Sequence, residues 1–465
     1  MKLKRWLFLC LCTAFFPTEG FATVHLPAII SDHMVLQQRS EVPLWGSSSR
    51  GGTVKVRTSW NGQSYSARCD AQGRWHLSVR TPRAGGPYRI TFDDGDVLSV
   101  SGVLIGEVWV CSGQSNMEIP MKGYQNTPIL HADRILMNAS DSSLRLFHVA
   151  RAVSASPLQD CKGTWDISDA GSAATFSAVG FQFARKLQSL LGVPVGIIET
   201  SWGGTPIQAW MKEASLAPFG DKTHPGAKPT AHSPSALYNA MVSPIAGYGI
   251  KGFLWYQGEA NRTHPSGYAR MMEAMVGGWR EAWHQDSLPF YFVQIAPYLY
   301  GKGKDSVAYL REQQALAATM IPRSGMVVTM DVGSEFTIHP PDKTTVAMRL
   351  LYWALGDTYG RKGIAFESPS LRSARIDSDR IVVTLGPAPM GLTSYDRPVT
   401  GFELAGSDHI FYPATAWIAT RGNVVVRSDR VTRPVAVRYG FKDWISANLF
   451  SNEGLPVAPF RSDTP

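Results

Sequence analysis

Two kinds of hydrophobic pattern divide the chain into a central part and two flanking parts. From Val24 to about Val103, short runs of alternating apolar and polar residues stand between turn residues, which is typical of antiparallel β-strands. Short alternating runs return from about Ser368 and continue to the end of the chain. The pattern therefore predicts two β regions, at residues 23–103 and 366–465.

The central part contains five continuous apolar runs rich in β-branched and aromatic residues, the pattern of strands that are buried on both faces. The runs are GEVWVC (106–111), VGIIET (195–200), GFLWYQ (252–257), FYFVQIA (290–296) and MVVTMD (326–331). Segments with the helical spacing of apolar residues occur between or after them, at 176–192, 266–283, 307–320 and 345–360. Strands that alternate with helices predict an α/β fold with a parallel sheet over residues 104–365.

Polar residues follow four of the five runs, at the carboxyl ends of strands, where open α/β sheets bind their ligands. The first run is followed by SGQSNM, the second by SWGGTPIQAW, the third by GEAN and the fifth by VGSEFTIHPPDK. This edge of the sheet therefore brings Ser115 and His339 together from distant parts of the chain. Because a serine hydroxyl becomes a good nucleophile only when a base removes its proton, the pair predicts a serine hydrolase.

The motifs at these strand ends resemble a known family. GQSNM, WGGT, WYQGEAN and IHP are similar to the motifs of SGNH hydrolases, in the branch of sialate O-acetylesterases and related carbohydrate acetylesterases. The segments SDHMVLQQ and VPLWG near the start and NLFSNEGLPVAPFRSD at the end resemble that branch too, so the resemblance extends over nearly the whole chain. It implies a three-layer, flavodoxin-like SGNH domain at 104–365, flanked by β-sandwich-like regions.

The resemblance also implies roles for individual residues. Ser115 matches the nucleophile and His339 the general base. The oxyanion donors implied by the match are the backbone amide of Ser115, a glycine amide at Gly203 or Gly204, and the side chain of Gln257. Four further polar residues match positions that contact substrate or support the loops: Gln114, Asn116, Glu259 and Asn261.

The acid that would orient His339 is absent from its usual place. Many relatives in the wider superfamily carry an Asp three residues before the histidine, and Phe336 occupies that position here. Asp331 and Glu335 are the available substitutes. Because an orienting carboxylate helps greatly without being indispensable, a Ser-His dyad with a backbone carbonyl behind the imidazole is the third alternative.

The amino terminus, residues 1–22, has the pattern of a secretory signal peptide. Three basic residues precede an apolar run from Trp6 to Phe16, and the small residues Gly20 and Ala22 are spaced as a cleavage site requires. The run is too short to cross a bilayer, and no other segment approaches spanning length. We therefore expect a secreted or periplasmic protein without a membrane span after cleavage.

Charge and composition restrict the partners. The net charge of +8 is spread along the chain without a basic stripe interleaved with aromatic residues, so no nucleic-acid partner is predicted. The cysteines show no metal-ligand spacing, and neither a metal nor a cofactor is expected. The pattern indicates no particular oligomeric state.

The predicted substrate is an O-acetylated carbohydrate. The resemblance makes sialic acid the leading acetylated sugar, and the motifs do not separate it from a plant cell-wall polysaccharide such as xylan or xyloglucan. A different class of function is a noncatalytic carbohydrate-binding protein, in which the β regions bind glycan and the central sheet is a scaffold. In that case Ser115, Gln257 and His339 would all be present without a catalytic role.

Overall fold

The structure, a computed structural model, describes residues 24–49, 51–220, 226, 228–301, 306–419 and 422–463. The predicted signal peptide lies outside these residues. Within the described ranges, no helix has both the length and the apolar composition needed to cross a membrane.

The amino-terminal β region contains seven strands. They are β1 (Val24–His25), β2 (Val35–Gln37), β3 (Glu41–Ser48), β4 (Thr53–Thr58), β5 (Ser64–Arg68), β6 (Arg74–Arg80) and β7 (Gly85–Asp93). Strands β1, β3 and β6 form an antiparallel sheet, while β4 pairs in antiparallel fashion with both β5 and β7. Antiparallel strands dominate this region, as the alternating pattern predicts.

One long strand, β8 (Val97–Gly113), joins this region to the central sheet. Its first half pairs with β2 and β7, and its second half is a central strand of the parallel sheet. The predicted boundary between residues 103 and 104 therefore falls inside a continuous strand. Part of the β region shares one sheet with the α/β unit, because β8 continues past Gly102, which has φ +68°, and pairs with strands of both.

The central sheet continues with six further strands: β9 (Asp141–His148), β10 (Trp165–Ser168), β11 (Val195–Ser201), β12 (Gly252–Tyr256), β13 (Phe290–Val293) and β14 (Ser324–Val327). Their order is β10-β9-β11-β8-β12-β13-β14, and all neighbours except β10 and β9 are parallel. All five predicted runs overlap strands of this sheet, which confirms the α/β class, although β13 ends at Val293 and β14 at Val327, before the fourth and fifth runs end. The order reverses at β8, so the crevice where ligands bind in such sheets opens beside its carboxyl end.

Eight helices are present in the described residues: α1 (Ser115–Glu118), α2 (Ala132–Leu136), α3 (Ala170–Thr175), α4 (Ala178–Leu191), α5 (Glu213–Leu216), α6 (Tyr268–Ala282), α7 (Ser306–Met320) and α8 (Lys343–Trp353). Four of them, α4, α6, α7 and α8, match the predicted helical segments. Helix α8 ends at Trp353, earlier than the predicted segment 345–360, because a π-helical turn at Ala354–Thr358 follows it.

Alternate residues of the sheet enter two separate cores. Val108 and Val110 of β8 pack in a cluster that includes α6 and the amino-terminal strands. Trp109 and Cys111 pack in a second cluster with α4 and α8. Each fully buried large apolar side chain contributes roughly 1.5–3 kcal/mol, so burial on both faces holds the strand ends in fixed positions.

The described residues of the carboxyl-terminal region form ten short strands: β15 (Ser370–Asp377), β16 (Arg380–Gly386), β17 (Leu392–Thr393), β18 (Phe402–Ala405), β19 (Phe411–Pro413), β20 (Thr415–Ile418), β21 (Asn423–Arg427), β22 (Ala436–Tyr439), β23 (Phe450–Ser451) and β24 (Phe460–Arg461). Two four-stranded antiparallel sheets, β15-β16-β21-β20 and β19-β18-β22-β24, supply side chains to one common core. The second predicted β region is therefore present and has its own hydrophobic core.

Candidate active site

The turn after β8 places Ser115 at the carboxyl edge of the sheet. Gly113 has φ +141°, and a Cβ there would lie 2.1 Å from the carbonyl oxygen of Tyr256, so only glycine lets β8 and β12 approach this closely. The side-chain oxygen of Gln114 accepts hydrogen bonds from the amides of Gly258 and Ala260, at 3.3 and 3.2 Å. The loops after β8 and β12 are thereby tied together, with Ser115 starting α1.

The predicted contact between Ser115 and His339 is present. The Oγ of Ser115 lies 2.9 Å from the Nε2 of His339, within hydrogen-bond distance, although 224 positions separate the two residues. Thr337 Oγ1 accepts the amide hydrogen of His339 at 3.1 Å, which shapes the histidine loop. This geometry allows a neutral imidazole to accept the serine proton during nucleophilic attack.

The surroundings of His339 favour its neutral form. Burial lowers the pKa of His339, and the positive charge of Lys343 lowers it further. A general base must be unprotonated to accept a proton, so a lowered pKa keeps the base competent as the pH falls below neutrality.

A hydrogen-bonded group that we call the Asn116 clamp connects the nucleophile turn to the histidine loop. Asn116 Nδ2 donates to Glu259 Oε1 at 2.6 Å and to the carbonyl oxygen of Ile338 at 3.1 Å. Lys343 Nζ donates to Asn116 Oδ1 at 2.6 Å. The clamp, Asn116, Glu259, Ile338 and Lys343, joins the residues that adjoin Ser115 and His339 to the loop after β12.

The two charges of the clamp are buried. Lys343 is 1% exposed, and burial lowers its pKa to about 7 although Glu259 and Asp342 oppose the shift. Burial likewise raises the pKa of Glu259. Lys343 is a site residue that the sequence analysis missed. Its position four residues after His339, at the start of a helix, is a sequence signal that could have drawn attention to it.

Neither candidate acid contacts His339 in the described structure. Asp331 binds the guanidinium of Arg349 through both oxygens, each at 2.7 Å, and this partly buried ion pair engages its carboxylate. Glu335 forms no hydrogen bond or ion pair with any residue that the structure describes. The predictions of Asp331 and Glu335 as orienting acids are therefore corrected, because the described contacts place neither carboxylate against the imidazole of His339.

Gln257 is not available as an oxyanion donor. Its side chain is fully buried, and its amide nitrogen donates to the carbonyl oxygen of Thr205 at 3.1 Å and to Asn261 Oδ1 at 2.7 Å. Its oxygen accepts the hydroxyl hydrogen of Tyr268 at 2.6 Å. Both amide hydrogens are used, so this prediction is corrected. Gln257 and Asn261 support the loops after β11 and β12.

The backbone amides predicted as oxyanion donors differ in whether they are already hydrogen-bonded. The amide of Gly203 donates to Glu118 Oε2 at 2.8 Å and is thus engaged. Within the described residues, the amides of Ser115 and Gly204 have no hydrogen-bond partner. Gly204 has φ +75°, a conformation that favours glycine. Of the two predicted glycines, the structure therefore leaves Gly204 free to donate.

A charged and aromatic wall stands beside the nucleophile. A Cβ added to Gly203 would lie 3.2 Å from the Cβ of Ser115, so the loop after β11 packs directly against the serine. Glu118 accepts a hydrogen bond from the Gly203 amide through Oε2 and a second one from Arg151 Nε through Oε1, at 2.6 Å. The Arg151 guanidinium lies 5.4 Å from the centre of the Trp202 ring, and its side chain is 48% exposed. Glu118 and Arg151 were not predicted from the sequence.

No group of three or more His, Cys, Asp or Glu side chains in the described ranges is arranged to hold a metal ion. At the carboxyl edge the structure brings together the hydroxyl of Ser115 and the imidazole of His339, the kind of pair that acyl transfer through a serine requires.

Comparisons with known proteins show which family the chain resembles. Residues 105–351 match the family described as carbohydrate esterase, sialic acid-specific acetylesterase. The sialate O-acetylesterase of Rattus norvegicus is 30% identical, with 93% of each chain covered, and that of Homo sapiens is 33% identical, with 73% of this chain and 72% of the human protein covered. A solved carbohydrate acetylesterase from Xanthomonas citri is 35% identical, has a TM-score of 0.87, and matches over 95% of this chain and 100% of its own.

Proposed function

Because the chain belongs to the family of sialic acid-specific carbohydrate acetylesterases, we propose that it removes O-acetyl groups from a sialic acid by means of Ser115 and His339. Membership in this family makes the chain a carbohydrate esterase, a carboxylic ester hydrolase. The observation that supports the proposed catalytic pair most strongly is the 2.9 Å contact between Ser115 Oγ and His339 Nε2 at the carboxyl edge of the sheet.

The proposed reaction has two halves. His339 Nε2 takes the hydroxyl proton of Ser115 while Oγ attacks the ester carbonyl carbon, and the amides of Ser115 and Gly204 hold the oxyanion that forms. The ester C–O bond then breaks, and the sugar oxygen leaves with the proton from His339. A water molecule attacks the acetyl-enzyme, His339 takes the proton of that water, and acetate leaves as His339 returns a proton to Ser115 Oγ.

The Asn116 clamp takes the place of an orienting acid in this proposal. An imidazole without a carboxylate behind it needs its loop held rigidly, and the bond from Asn116 to the Ile338 carbonyl fixes the residue before His339. The residual catalysis that serine hydrolases retain after loss of their acid makes a dyad chemically sufficient.

Arg151 supports an acidic sugar as the substrate. Its half-exposed guanidinium, held by Glu118 beside the nucleophile, can pair with the carboxylate that sialic acid carries. The Trp202 ring under it offers an apolar face for a sugar ring. Neutral polymers such as acetylated xylan or xyloglucan would bring no second carboxylate to this guanidinium, which would keep Glu118 as its anionic partner.

Acetate release from three substrates tests the function. O-acetylated sialic acid, acetylated xylan and acetylated xyloglucan are each incubated with wild type and with Ser115→Ala. We expect the highest kcat/KM on sialic acid and a loss of at least about a thousandfold in kcat for Ser115→Ala, because the nucleophile is removed. A preference for either polysaccharide would overturn the sialate assignment, and activity of Ser115→Ala equal to that of wild type would overturn the catalytic one.

Secretion or export to a periplasm belongs to the same proposal. It is supported by residues 1–22, whose basic start, short apolar run and small residues match a cleavable signal peptide. Amino-terminal sequencing of the protein made by a secreting host should begin at Thr23. A mature protein that retains Met1 would contradict this assignment.

A further inference from the structure

A cleft of about 900 Å³ lies away from Ser115, between the amino-terminal β region and loops of the α/β unit. One side is formed by residues of β1, β3 and β6, and the other by residues 159–160 and 243–246. None of the residues that line it contacts Ser115 or His339. We call it the amino-terminal cleft, and the proposed esterase reaction makes no use of it.

Two tryptophans form apolar parts of the cleft wall. Trp75 is 3% exposed, and a Cβ on neighbouring Gly46 would lie 2.9 Å from its ring, so the glycine is needed for the ring to pack there. Trp45 is partly exposed, and its ring stands edge-on against buried Tyr248, with centroids 6.5 Å apart. The indole of Trp45 is therefore held in place before any ligand arrives.

Polar side chains surround these rings. Asp160 Oδ1 accepts the amides of Ala28 and Cys161 at 2.8 and 2.7 Å, so its carboxylate is fixed at the cleft while Oδ2 has no partner in the described structure. Arg68 lines the same cleft, is exposed, and its guanidinium forms no hydrogen bond or ion pair with a described residue. A fixed carboxylate acceptor and a guanidinium without a described partner thus line the same cleft as the partly exposed indole of Trp45.

This combination matches the surface of a sugar ring. The C–H face of a pyranose packs on an indole, and its hydroxyls can donate to a carboxylate and accept from a guanidinium. An apolar partner would leave Arg68 and Asp160 unpaired at a cost in desolvation. A nucleic acid requires an excess of positive charge, but Arg68 and Arg74 are balanced here by Asp70 and Asp160.

We propose that the amino-terminal cleft is a second, noncatalytic carbohydrate-binding site, which holds the glycan that carries the acetyl groups. Its existence is independent of the esterase reaction, and it rests on the proposed function only for the choice of glycan. Two sites on one chain raise the effective concentration of a polymeric substrate near Ser115 without a new contact at the active site.

Binding without turnover tests the cleft. The full chain with Ser115→Ala is titrated calorimetrically with polysialic acid and with xyloglucan, both freed of O-acetyl groups. Adding Trp45→Ala should raise Kd for the bound polymer at least about tenfold, because the stacking surface is lost. Trp417→Ala is the matched control, since Trp417 is a 42% exposed indole on β20, outside the cleft, and should leave Kd unchanged.

Arg68→Ala provides a second variant that does not disturb the packed rings, and it should weaken binding in the same direction. With Ser115 intact, Trp45→Ala should lower the ratio of kcat/KM for acetylated polymer to kcat/KM for acetylated monosaccharide. The proposal is wrong if neither polymer binds, if Trp45→Ala and Arg68→Ala bind like the parent, or if Trp417→Ala loses as much affinity. Polymer binding that depends on Trp45 in a chain that releases no acetate would support the cleft and refute the proposed catalysis.

Discussion

Single hydrogen-bond partners decide which polar residues of the site can act on a substrate. Ser115 and His339 face each other, whereas Gln257 and Asp331, equally prominent in the sequence, are committed to other partners. A buried amide or carboxylate must satisfy its own hydrogen bonds, and once satisfied it has nothing left for an oxyanion or an imidazole. The sequence shows residue types, and the partners appear only in the folded chain.

Replacing Asp331 with Asn should lower stability more than activity. Loss of the charge weakens the pair with buried Arg349 and should cost about 1–3 kcal/mol in the free energy of unfolding. A true triad acid would cost about ten-thousandfold in kcat, and we expect less than about tenfold here. Urea unfolding and acetate release measure the two effects, with Glu335→Gln as a control that changes neither. A ten-thousandfold loss in Asp331→Asn would restore it as the orienting acid.

Replacing Lys343 with Met should move the acidic limb of the pH profile. The charge of Lys343 lowers the pKa of His339, and His339 is active only when it is neutral. Without that charge the pKa of His339 rises, so kcat/KM should begin to fall at a higher pH as the solution is acidified. The pH dependence of kcat/KM for both proteins measures the shift. Lys343→Arg keeps the charge and should shift the limb less; an unchanged limb in Lys343→Met would contradict the account.

Short elements carry the site, and longer elements hold them. The one-turn helix α1 is too short to be stable alone, and it is fixed by α4, whose N-cap Ser177 donates to the carbonyl oxygen of Met117 at 2.6 Å. The same hydroxyl accepts the amide of Gly180 and so caps α4 at its first turn. The start of α4 and the position of Ser115 therefore depend on one side chain.

Replacing Ser177 with Ala should affect both stability and catalysis. Loss of the cap should cost about 1 kcal/mol in the free energy of unfolding, and the freed Met117 carbonyl should loosen α1 and lower kcat. Asp169→Ala is the matched control, because Asp169 caps α3 by accepting the Ser172 amide and contributes no hydrogen bond to α1. Thermal unfolding and acetate release are measured side by side. Equal effects of the two substitutions on kcat would show that the Ser177 contact does not position Ser115.

The elements could be predicted where periodicity was strong. The five buried runs and the helices α4, α6 and α7 follow from continuous or helical apolar spacing. Strand β9 was missed because its first half is polar and only its second half is buried. The predicted boundary at residue 103 lies inside β8, where the strand changes its pairing partners from β2 and β7 to β11 and β12.

At the scale of the whole molecule, the carboxyl-terminal β region is built onto the α/β unit. Arg461 binds Glu312 of α7 through two bonds of 2.7 and 3.1 Å, and Asp443 Oδ1 accepts the amide of Val307 at 3.0 Å. Ala458 packs with Val328 and Met330, which follow β14 and precede the histidine loop. The last strand of the sheet is thus covered by residues far along the chain.

A chain that ends at residue 365 should therefore be unstable. Truncation exposes Val328 and Met330 and leaves α7 without its polar partners, so we expect poor solubility and a lower unfolding temperature than the full chain. Expression yield and thermal unfolding of the two proteins measure this. A truncated chain with the unfolding midpoint and activity of the full chain would show that residues 366–465 form an independent module.

The central claim is that Ser115 carries the acetyl group during turnover. The direct test is to quench the protein rapidly during hydrolysis of p-nitrophenyl acetate and to locate the added acetyl group by peptide mass spectrometry. We predict acetyl on Ser115 in wild type and none at that position in Ser115→Ala. Turnover with the acetyl group on another residue, or an Ser115→Ala variant that hydrolyses the ester at the wild-type rate, would contradict the account.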